Sequence, residues 1–214
     1  MAILASAIIT SVRRFLLDPS PGDTWLDADL LAMLNRAERV VVNVKRDAYP
    51  VRANLTLVAG SVQTLPATGL SLMQVYKNVV SGRRINQVVA ELQDVAARYW
   101  PAATQEVDVQ HWTSDERNPT QFEVVPPNNG TGQIDILYGA VPTPIASTAS
   151  NINLKDHHEQ VLIDIVLSFA YGESSTRGDV TKQAFHWQRW GQALGLTDAS
   201  QKMVVAKTGE KGDL

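Results

Sequence analysis

The 214-residue sequence contains no cysteine. Disulfide bonds, thiolate metal sites and cysteine nucleophiles are therefore excluded together. This absence fits a reducing compartment, or an assembly whose stability does not depend on redox state. No apolar run approaches the roughly 20 residues that cross a bilayer, and the apolar start is not preceded by the basic residues of a signal peptide. We therefore expect no membrane contact and no secretion signal.

Charge is modest and nearly balanced. The chain carries 19 Lys and Arg against 22 Asp and Glu, a net charge of −3. A broad basic surface for nucleic acid is not expected, and only Arg13-Arg14 and Arg83-Arg84 are candidates for a small basic patch. The pair Arg83-Arg84 suits a phosphate, an acidic neighbour or plain solvent. The length is enough for one large domain or two small ones.

Signatures of catalysis and cofactor binding are absent. Gly209-Glu210-Lys211-Gly212 lacks the spacing of a phosphate loop, and no nucleophile elbow occurs. The best metal candidate is Asp156-His157-His158-Glu159. Adjacent helical side chains point about 100° apart, and neither histidine has a His or Cys partner three or four residues away. We expect no catalytic residue, no cofactor and no metal, and interpret the chain as a binding or structural module.

Helical periodicity marks both ends of the chain. Apolar residues recur at helical spacing in residues 2–17, in 24–46, and in two segments that begin near Asp156 and Asp179. Thr24 or Asp27 is expected to cap the second helix and Asp179 the last. The β-branched run at 40–42 also suits a strand, but its lead-in favours a helix. The residues predicted to face inward are Leu4, Ile8, Val12, Phe15, Leu16, Leu30, Leu34, Ala37, Val41, Val44, Val161, Leu162, Ile165, Val166, Phe169, Ala184, Trp187, Trp190 (or Phe185) and Leu194.

The middle of the chain has the alternation of β-strands. Residues 51–58 and 61–66 predict a hairpin that turns at Ala59-Gly60. A further strand is predicted at 73–80, a short helix that Asn86-Gln87 opens at 88–98, and a strand at 107–112.

The stretch from His111 to Pro144 predicts a second hairpin. Strands at 121–125 and 133–138 flank a Pro/Asn/Gly segment at 126–132, which we expect to form a projecting loop. Ile134, Ile136 and Tyr138 alternate, so they should share the buried face of the second strand.

This order of elements predicts an α+β fold. The N- and C-terminal helices, in 1–48 and 146–196, should pack as an antiparallel helical bundle. Residues 49–145 should form an inserted, mainly β subdomain. Residues 197–214 are polar and lack a strong period, so we expect a flexible C-terminal tail.

The order of these segments resembles the head-to-tail adaptor (connector) proteins of tailed bacteriophages. The opening run Arg13 to Pro19 is followed by Thr24-Trp25-Leu26-Asp27 and Leu34-Asn35-Arg36-Ala37. Later segments that share the resemblance are Leu65-Pro66, Gly82-Arg83-Arg84-Ile85, Asn118-Pro119, Phe122, Pro126-Pro127, Tyr138, Ile163-Asp164 to Ala170-Tyr171 and Ala184 to Leu194-Gly195.

The resemblance implies a structural virion protein and not an enzyme. Such adaptors form a homo-oligomeric ring, usually of twelve copies, that docks on the portal protein, extends the DNA channel and offers the attachment surface for downstream tail or nozzle proteins. DNA passes without specific recognition. The implied location is the virion neck, after assembly in the host cytoplasm.

Two sets of contact residues follow as hypotheses. The first set is a portal-binding arm in the tail: Thr197, Lys202, Met203, Val204, Val205, Lys207 and Leu214. The second set is expected to contact a neighbouring subunit or the tail: Arg83, Arg84, Pro126, Pro127, Asn128, Asn129, Trp187 and Trp190.

Two alternative functions remain open at this point. A tail-completion or stopper ring has the same kind of subunit and differs in what lies above and below it. A soluble nucleic-acid-binding accessory protein is the alternative from another class. It would show salt-sensitive DNA binding and a mass of one or two subunits.

Overall fold

The computed structural model of the chain describes residues 3–19, 24–88, 104–173 and 178–196. The predicted helix at 88–98 (apart from Val88) and the predicted tail at 197–214 lie outside those residues. The chain divides into two compact units. The first, called here the helical unit, draws on Met1–Lys45 and Pro142–Leu214, and the second, the β unit, is Arg46–Val141.

Four α-helices lie in the described part of the helical unit. Helix α1 spans Ala5–Leu16, α2 spans Asp27–Val44, α3 spans Glu159–Tyr171 and α4 spans Val180–Ala193, with a 3-10 turn at Asp156–His158 before α3. Together with the two sheets of the β unit, these helices confirm the predicted mixed α+β class.

Helix α3 is the most deeply buried helix of the helical unit. Ten of its 13 residues are buried, so its apolar surface is not confined to one stripe. A helix that is apolar on all sides needs neighbours on several of them. Helices α1, α2 and α4 each contact α3, which makes it the centre of the helical unit.

Most of the residues predicted to face inward are confirmed. The buried ones are Ile8, Val12, Leu30, Leu34, Ala37, Val41, Val161, Leu162, Ile165, Val166, Trp190 and Leu194. Leu16, Val44, Phe169 and Trp187 are half-buried. The prediction is wrong for Leu4, Phe15 and Ala184, which are exposed. Buried polar residues take the inward positions nearby: Arg13 in α1, and His186 in α4, where its Nδ1 lies 2.8 Å from the Asp164 carboxylate.

Arg13 closes the connection between α1 and α2. Its guanidinium donates to the Asp18 carboxylate at 3.1 Å, to the Trp25 carbonyl oxygen at 2.7 Å and to the Asp27 carboxylate at 2.6 Å. Only 4% of the residue is exposed. The predicted basic patch at Arg13-Arg14 is therefore wrong, because Arg13 is buried and only Arg14 of the pair is exposed.

The N-terminal caps fit the prediction for α4 and not for α2. The Asp179 carboxylate accepts hydrogen bonds from the backbone N–H groups of Thr181 and Lys182, each at 3.1 Å. The bond from Lys182 helps hold the pKa of that carboxyl below its usual value. Leu26 occupies the N-cap position of α2 and gives no side-chain cap, so the assignment to Thr24 or Asp27 is wrong.

Two polar side chains of α2 join it to the later segment of the helical unit. The buried Glu38 carboxylate accepts from the Asn153 backbone N–H at 2.8 Å, from the Asn153 side-chain amide at 2.7 Å and from the Leu154 N–H at 3.4 Å. Asn35 exchanges two hydrogen bonds with the backbone of Ile145, at 2.6 and 3.1 Å. These bonds fix the chain just before α3.

The described part of the β unit contains seven strands in two sheets. The strands are β1 Pro50–Thr56, β2 Ala59–Thr64, β3 Gly69–Asn78, β4 Asn86–Gln87, β5 His111–Ser114, β6 Gln121–Asn129 and β7 Gln133–Ala140. One sheet has the order β1-β7-β3 and the other β2-β6-β5-β4. All pairs are antiparallel except β4 with β5.

Both predicted hairpins are wrong, although their strands exist. Strand β1 pairs with β7, and β2 pairs with β6, so each consecutive pair is divided between the two sheets. The segment that holds β1 and β2 runs antiparallel to the segment that holds β6 and β7. The first of these segments passes from one sheet to the other near Leu57, whose N–H donates to the Gly132 carbonyl at 2.9 Å. Asn86-Gln87, predicted to open a helix, instead forms the edge strand β4.

Both sheets contribute to one apolar core. Trp112, Phe122 and Val124 come from the four-stranded sheet, and Val75, Ile134, Ile136 and Tyr138 from the three-stranded sheet. The predicted buried face of β7 is therefore confirmed. Because the period along a strand is two, the residues between these positions face away from the core.

We predict that Glu38→Ala lowers the free energy of unfolding by about 2–4 kcal/mol. The substitution leaves the hydrogen-bond donors of Asn153 and Leu154 without their charged acceptor. Urea denaturation followed by circular dichroism measures the change. Arg39→Ala, an exposed change at the next position of α2, is the matched control and should shift stability by less than about 0.5 kcal/mol. Equal effects of the two changes would contradict a joining role for Glu38.

Candidate functional site

Three cations and a tyrosine lie on the outer side of the three-stranded sheet. We call these residues, Arg52, Tyr76, Lys77 and Arg84, the basic surface. In the register of the sheet, Arg52 stands opposite Leu137 and Lys77 opposite Asp135, on the face that points away from the core. Arg84 forms an isolated bridge with Lys77. The residues that line a concavity of about 390 Å³ include these four together with Gln74, Asn86 and Gln87.

Arg52 is held in a fixed position on this surface. Its Nε donates to Asp135 Oδ1 at 2.9 Å and its terminal nitrogen to Oδ2 at 2.5 Å. The guanidinium also lies 4.4 Å above the centre of the Tyr76 ring. Hydrogen bonding by Arg52 lowers the pKa of the Asp135 carboxyl and raises the pKa of Arg52 itself. A two-point ion pair of this geometry is directional and specific.

Lys77 and Arg84 are like charges placed directly opposite each other. Side chains at such positions are about 4.5–5.5 Å apart at Cβ, and like charges there repel. The one acid beside them, Asp135, is already bonded through both oxygens to Arg52. Neither Lys77 nor Arg84 forms an ion pair with another described residue. The basic surface thus carries positive charge that the described residues leave unbalanced.

The two arginines predicted as contacts lie on the turn that follows β3. Asn78 and Arg83 close this turn through a backbone hydrogen bond of 2.9 Å, and Gly82 takes a φ of +70° there, a conformation that other residues rarely adopt. The Arg83 side chain is 79% exposed and 3.8 Å from Asp108. Both Arg83 and Arg84 are therefore open to a partner, and their role stays a prediction.

The predicted projecting loop at 126–132 is wrong in its first half. Pro126, Pro127, Asn128 and Asn129 belong to strand β6. Proline is tolerated in a strand where the ladder is interrupted, and the β2–β6 register shifts between Gly60 and Val62, opposite this stretch. Pro127 and Asn128 are buried and Asn129 is exposed.

The side chain of Asn128 is buried and hydrogen-bonds to the backbone of the loop that follows β6. Its side-chain amide donates to the carbonyl oxygens of Glu106 and Val107 at 3.0 and 2.8 Å. Its Oδ1 accepts from the backbone N–H groups of Gly130 and Gly132 at 2.8 and 3.1 Å. No part of Asn128 is exposed, so within this subunit its hydrogen bonds serve the fold.

Trp187 and Trp190 pack against each other on α4, with ring centres 4.8 Å apart. Trp190 is only 4% exposed and belongs to the core of the helical unit. Trp187 is half-buried. Of these two predicted contact residues, only Trp187 offers part of its surface to another molecule.

Apolar side chains are exposed around the C-terminal end of α1. We call Phe15, Leu17 and Phe185 the apolar surface; their exposed fractions are 52%, 88% and 56%. Phe15 and Phe185 both make edge contacts with the ring of the buried His186. Leu17 has a φ of +56°, a left-handed conformation that costs a non-glycine residue about 1–2 kcal/mol. Leu17 is the C-cap residue of α1, and its left-handed conformation ends that helix.

A polar cluster joins α3 to α4 through the side chain of Asp164. The buried Asp164 carboxylate lies 2.8 Å from His186 Nδ1 and 3.4 Å from an Arg189 nitrogen, and accepts from Gln160 Nε2 at 3.2 Å. Among the described residues, no group of three or more His, Asp or Glu side chains is arranged to hold a metal ion. No helix in the described ranges is long and apolar enough to cross a membrane.

Sequence reasoning missed part of the basic surface. It named Arg84, but not Arg52 or Lys77, which the structure places beside it. The alternation of β1 already assigns Arg52 to the face opposite Val51 and Ala53, which is one available signal. The pairing of β1 with β7 was the missing information. The predicted portal-binding residues, from Thr197 to Leu214, lie outside the described residues.

Comparison with known protein families gives one match that covers nearly the whole chain. The family is described as SU10 adaptor protein, and the match extends over residues 4–208. It therefore includes the described residues of both units except Ile3. A search of curated proteins finds no match.

We predict that Asp135→Asn destabilises the protein at pH 7 and that this difference shrinks in acid. The pKa of Asp135 is depressed in the folded state, so its contribution is present above the ordinary value near 4 and is lost as pH falls through the folded pKa. Urea denaturation at pH 7 and pH 3 measures both differences. Asp108→Asn, beside the exposed Arg83, is the control with a small effect at both pH values. A constant difference for Asp135→Asn would contradict the ion pair.

Proposed function

The chain belongs to the SU10 adaptor protein family, and from this premise we propose that it is the subunit of a ring that joins a phage head to its tail. In this proposal the ring docks on the portal protein, extends the DNA channel and gives downstream tail or nozzle proteins their attachment surface. The observation that carries the proposal is the family match over residues 4–208. A structural role in the virion neck, not catalysis, accords with an adaptor family.

A closed ring needs heterologous contacts, in which one surface of each copy meets a different surface of the next. We propose that the helical unit packs as a bundle and forms the ring wall. The apolar surface around Phe15, Leu17 and Phe185 supports this role, because an exposed apolar group of this kind is stabilised when a neighbour covers it. The ring has about twelve copies in this proposal, as the resemblance to connector proteins implies.

The portal-binding arm in this proposal is the C-terminal segment 197–214. It contains the apolar run Met203-Val204-Val205 between Lys202 and Lys207. Such a segment can gain apolar contacts and ion pairs when it orders on a partner. The net charge of −3 suits a channel through which DNA slides, because neutralisation of phosphates by basic residues is what makes DNA binding tight. Assembly in the host cytoplasm is part of the same proposal.

Light scattering on mixtures with the portal ring encoded by the same genome tests the proposed function. We expect a saturable rise in mass that corresponds to about one copy per portal subunit. A monomer in the absence of the portal is compatible with the proposal, since an adaptor can assemble on contact. A competent portal that gains no mass would contradict it, and salt-sensitive DNA binding would then favour an accessory protein. Binding below an already attached adaptor would favour a stopper.

The role of the arm is tested separately by the triple substitution Met203→Ser, Val204→Ser and Val205→Ser. We expect portal binding to weaken by at least about tenfold, because these side chains lose apolar area that the portal would bury. Thermal unfolding checks that the fold is unchanged. The matched control replaces Ser200, Gln201 and Thr208 by alanine and should bind as the parent does. Full portal binding by a chain that lacks residues 197–214 would contradict the portal-binding role proposed for this segment.

A further inference from the structure

The β unit presents an acidic turn as well as the basic surface. We call Asp115 and Glu116, between β5 and β6, the acidic turn; both residues are exposed. The turn is stiffened by its own hydrogen bonds: the Arg117 N–H donates to the Asp115 carboxylate at 2.9 Å, and the Asn118 N–H donates to the Asp115 carbonyl at 3.0 Å. The Asn118 side-chain amide also donates to Gln121 at 2.8 Å.

The acidic turn carries more negative than positive charge, because only the exposed Arg117 follows its two carboxylates in the chain. Within the described residues, neither Asp115 nor Glu116 forms an ion pair. Glu116 makes no side-chain hydrogen bond to a described residue, whereas Asp115 is partly committed to the turn. The hydrogen bonds of the turn fix its backbone, so little backbone entropy is lost when the turn meets a partner.

We propose that the acidic turn of one copy docks in the basic surface of the next copy. The concavity between Arg52 and Arg84 has room for a short turn and offers Lys77 and Arg84 as the partners of Glu116. A carboxylate between these two cations would turn their mutual repulsion into attraction. This inference rests on the proposed ring and identifies a charged contact between one copy and the next.

The composition of the basic surface favours a carboxylate partner over a nucleic acid. The carboxylate of Asp135, which accepts from Arg52 and stands opposite Lys77, would repel a continuous phosphate backbone. Amide side chains, Gln74 and Gln87, line the same concavity and suit a polar protein turn. The complement also lies on this same chain, and two different surfaces that match each other are what a heterologous ring contact requires.

Charge reversal tests the contact without disturbing the fold. Arg84→Glu places an acid opposite Lys77, so it removes a repulsion and should leave the isolated subunit at least as stable as the parent. We expect assembly on the portal to weaken by about tenfold or more. Glu116→Arg should weaken it similarly. The double variant Arg84→Glu with Glu116→Arg restores opposite charges across the contact and should recover assembly. Lys155→Glu, an exposed reversal in the helical unit, is the control.

The readouts are the number of copies bound per portal ring and the concentration at half saturation. Rescue by the double variant would support the contact. Assembly of Arg84→Glu at parental strength, or failure of the double variant to recover, would overturn it while leaving the adaptor function intact. Loss of portal binding by single copies, or loss of DNA binding, with Arg84→Glu alone would assign the basic surface to the portal or to DNA instead. A parent chain that never assembles on the portal would fail the proposed function first.

Discussion

The carboxylate of Glu38 is the interaction on which the helical unit most depends. That unit is assembled from two chain segments, Met1–Lys45 and Pro142–Leu214, with the whole β unit inserted between them. Glu38 in α2 collects three hydrogen bonds from Asn153 and Leu154, at the point where the chain approaches α3. Because α3 is buried on nearly all sides and contacts the other three helices, fixing its start determines how the apolar faces of α1, α2 and α4 are covered.

The β unit satisfies a different constraint, which is to join two sheets around one core. Its strands β1 and β2 run alongside β7 and β6, and each segment crosses from one sheet to the other. Asn128 and Gly132 allow that crossing: a Cβ on Gly132 would lie 2.3 Å from the Asn128 amide nitrogen. This arrangement sends the outward positions of β1, β7 and β3 to one face, and it is there that Arg52, Lys77 and Asp135 meet. The charges available to a partner are thus a consequence of strand register.

Local patterns in the sequence were sufficient for the elements but not for their pairing. Periodicity identified the four helices of the described residues, the cap at Asp179 and the buried face of β7, because each depends on neighbours a few residues away. The hairpins were wrong because β1 and β2 find their partners far along the chain, in β7 and β6, at pairs such as Pro50 with Gly139 and Thr64 with Gln121. Arg13 and Glu38 were not recognised as buried, since a charged residue at an inward position is recognised only by the partners that compensate it. The family resemblance, which rests on the order of segments over the whole chain, was confirmed by the match to SU10 adaptor protein.

Electron cryomicroscopy of the protein bound to its portal tests directly whether this chain is a ring-forming adaptor. We expect a closed ring of adaptor copies on one end of the portal. In that ring the side chains of Phe15, Leu17 and Phe185 are covered by protein, and the two units of each copy repeat with the symmetry of the ring. Copies attached singly, without contact to their neighbours, or a portal without any adaptor density at saturating concentration, would contradict it.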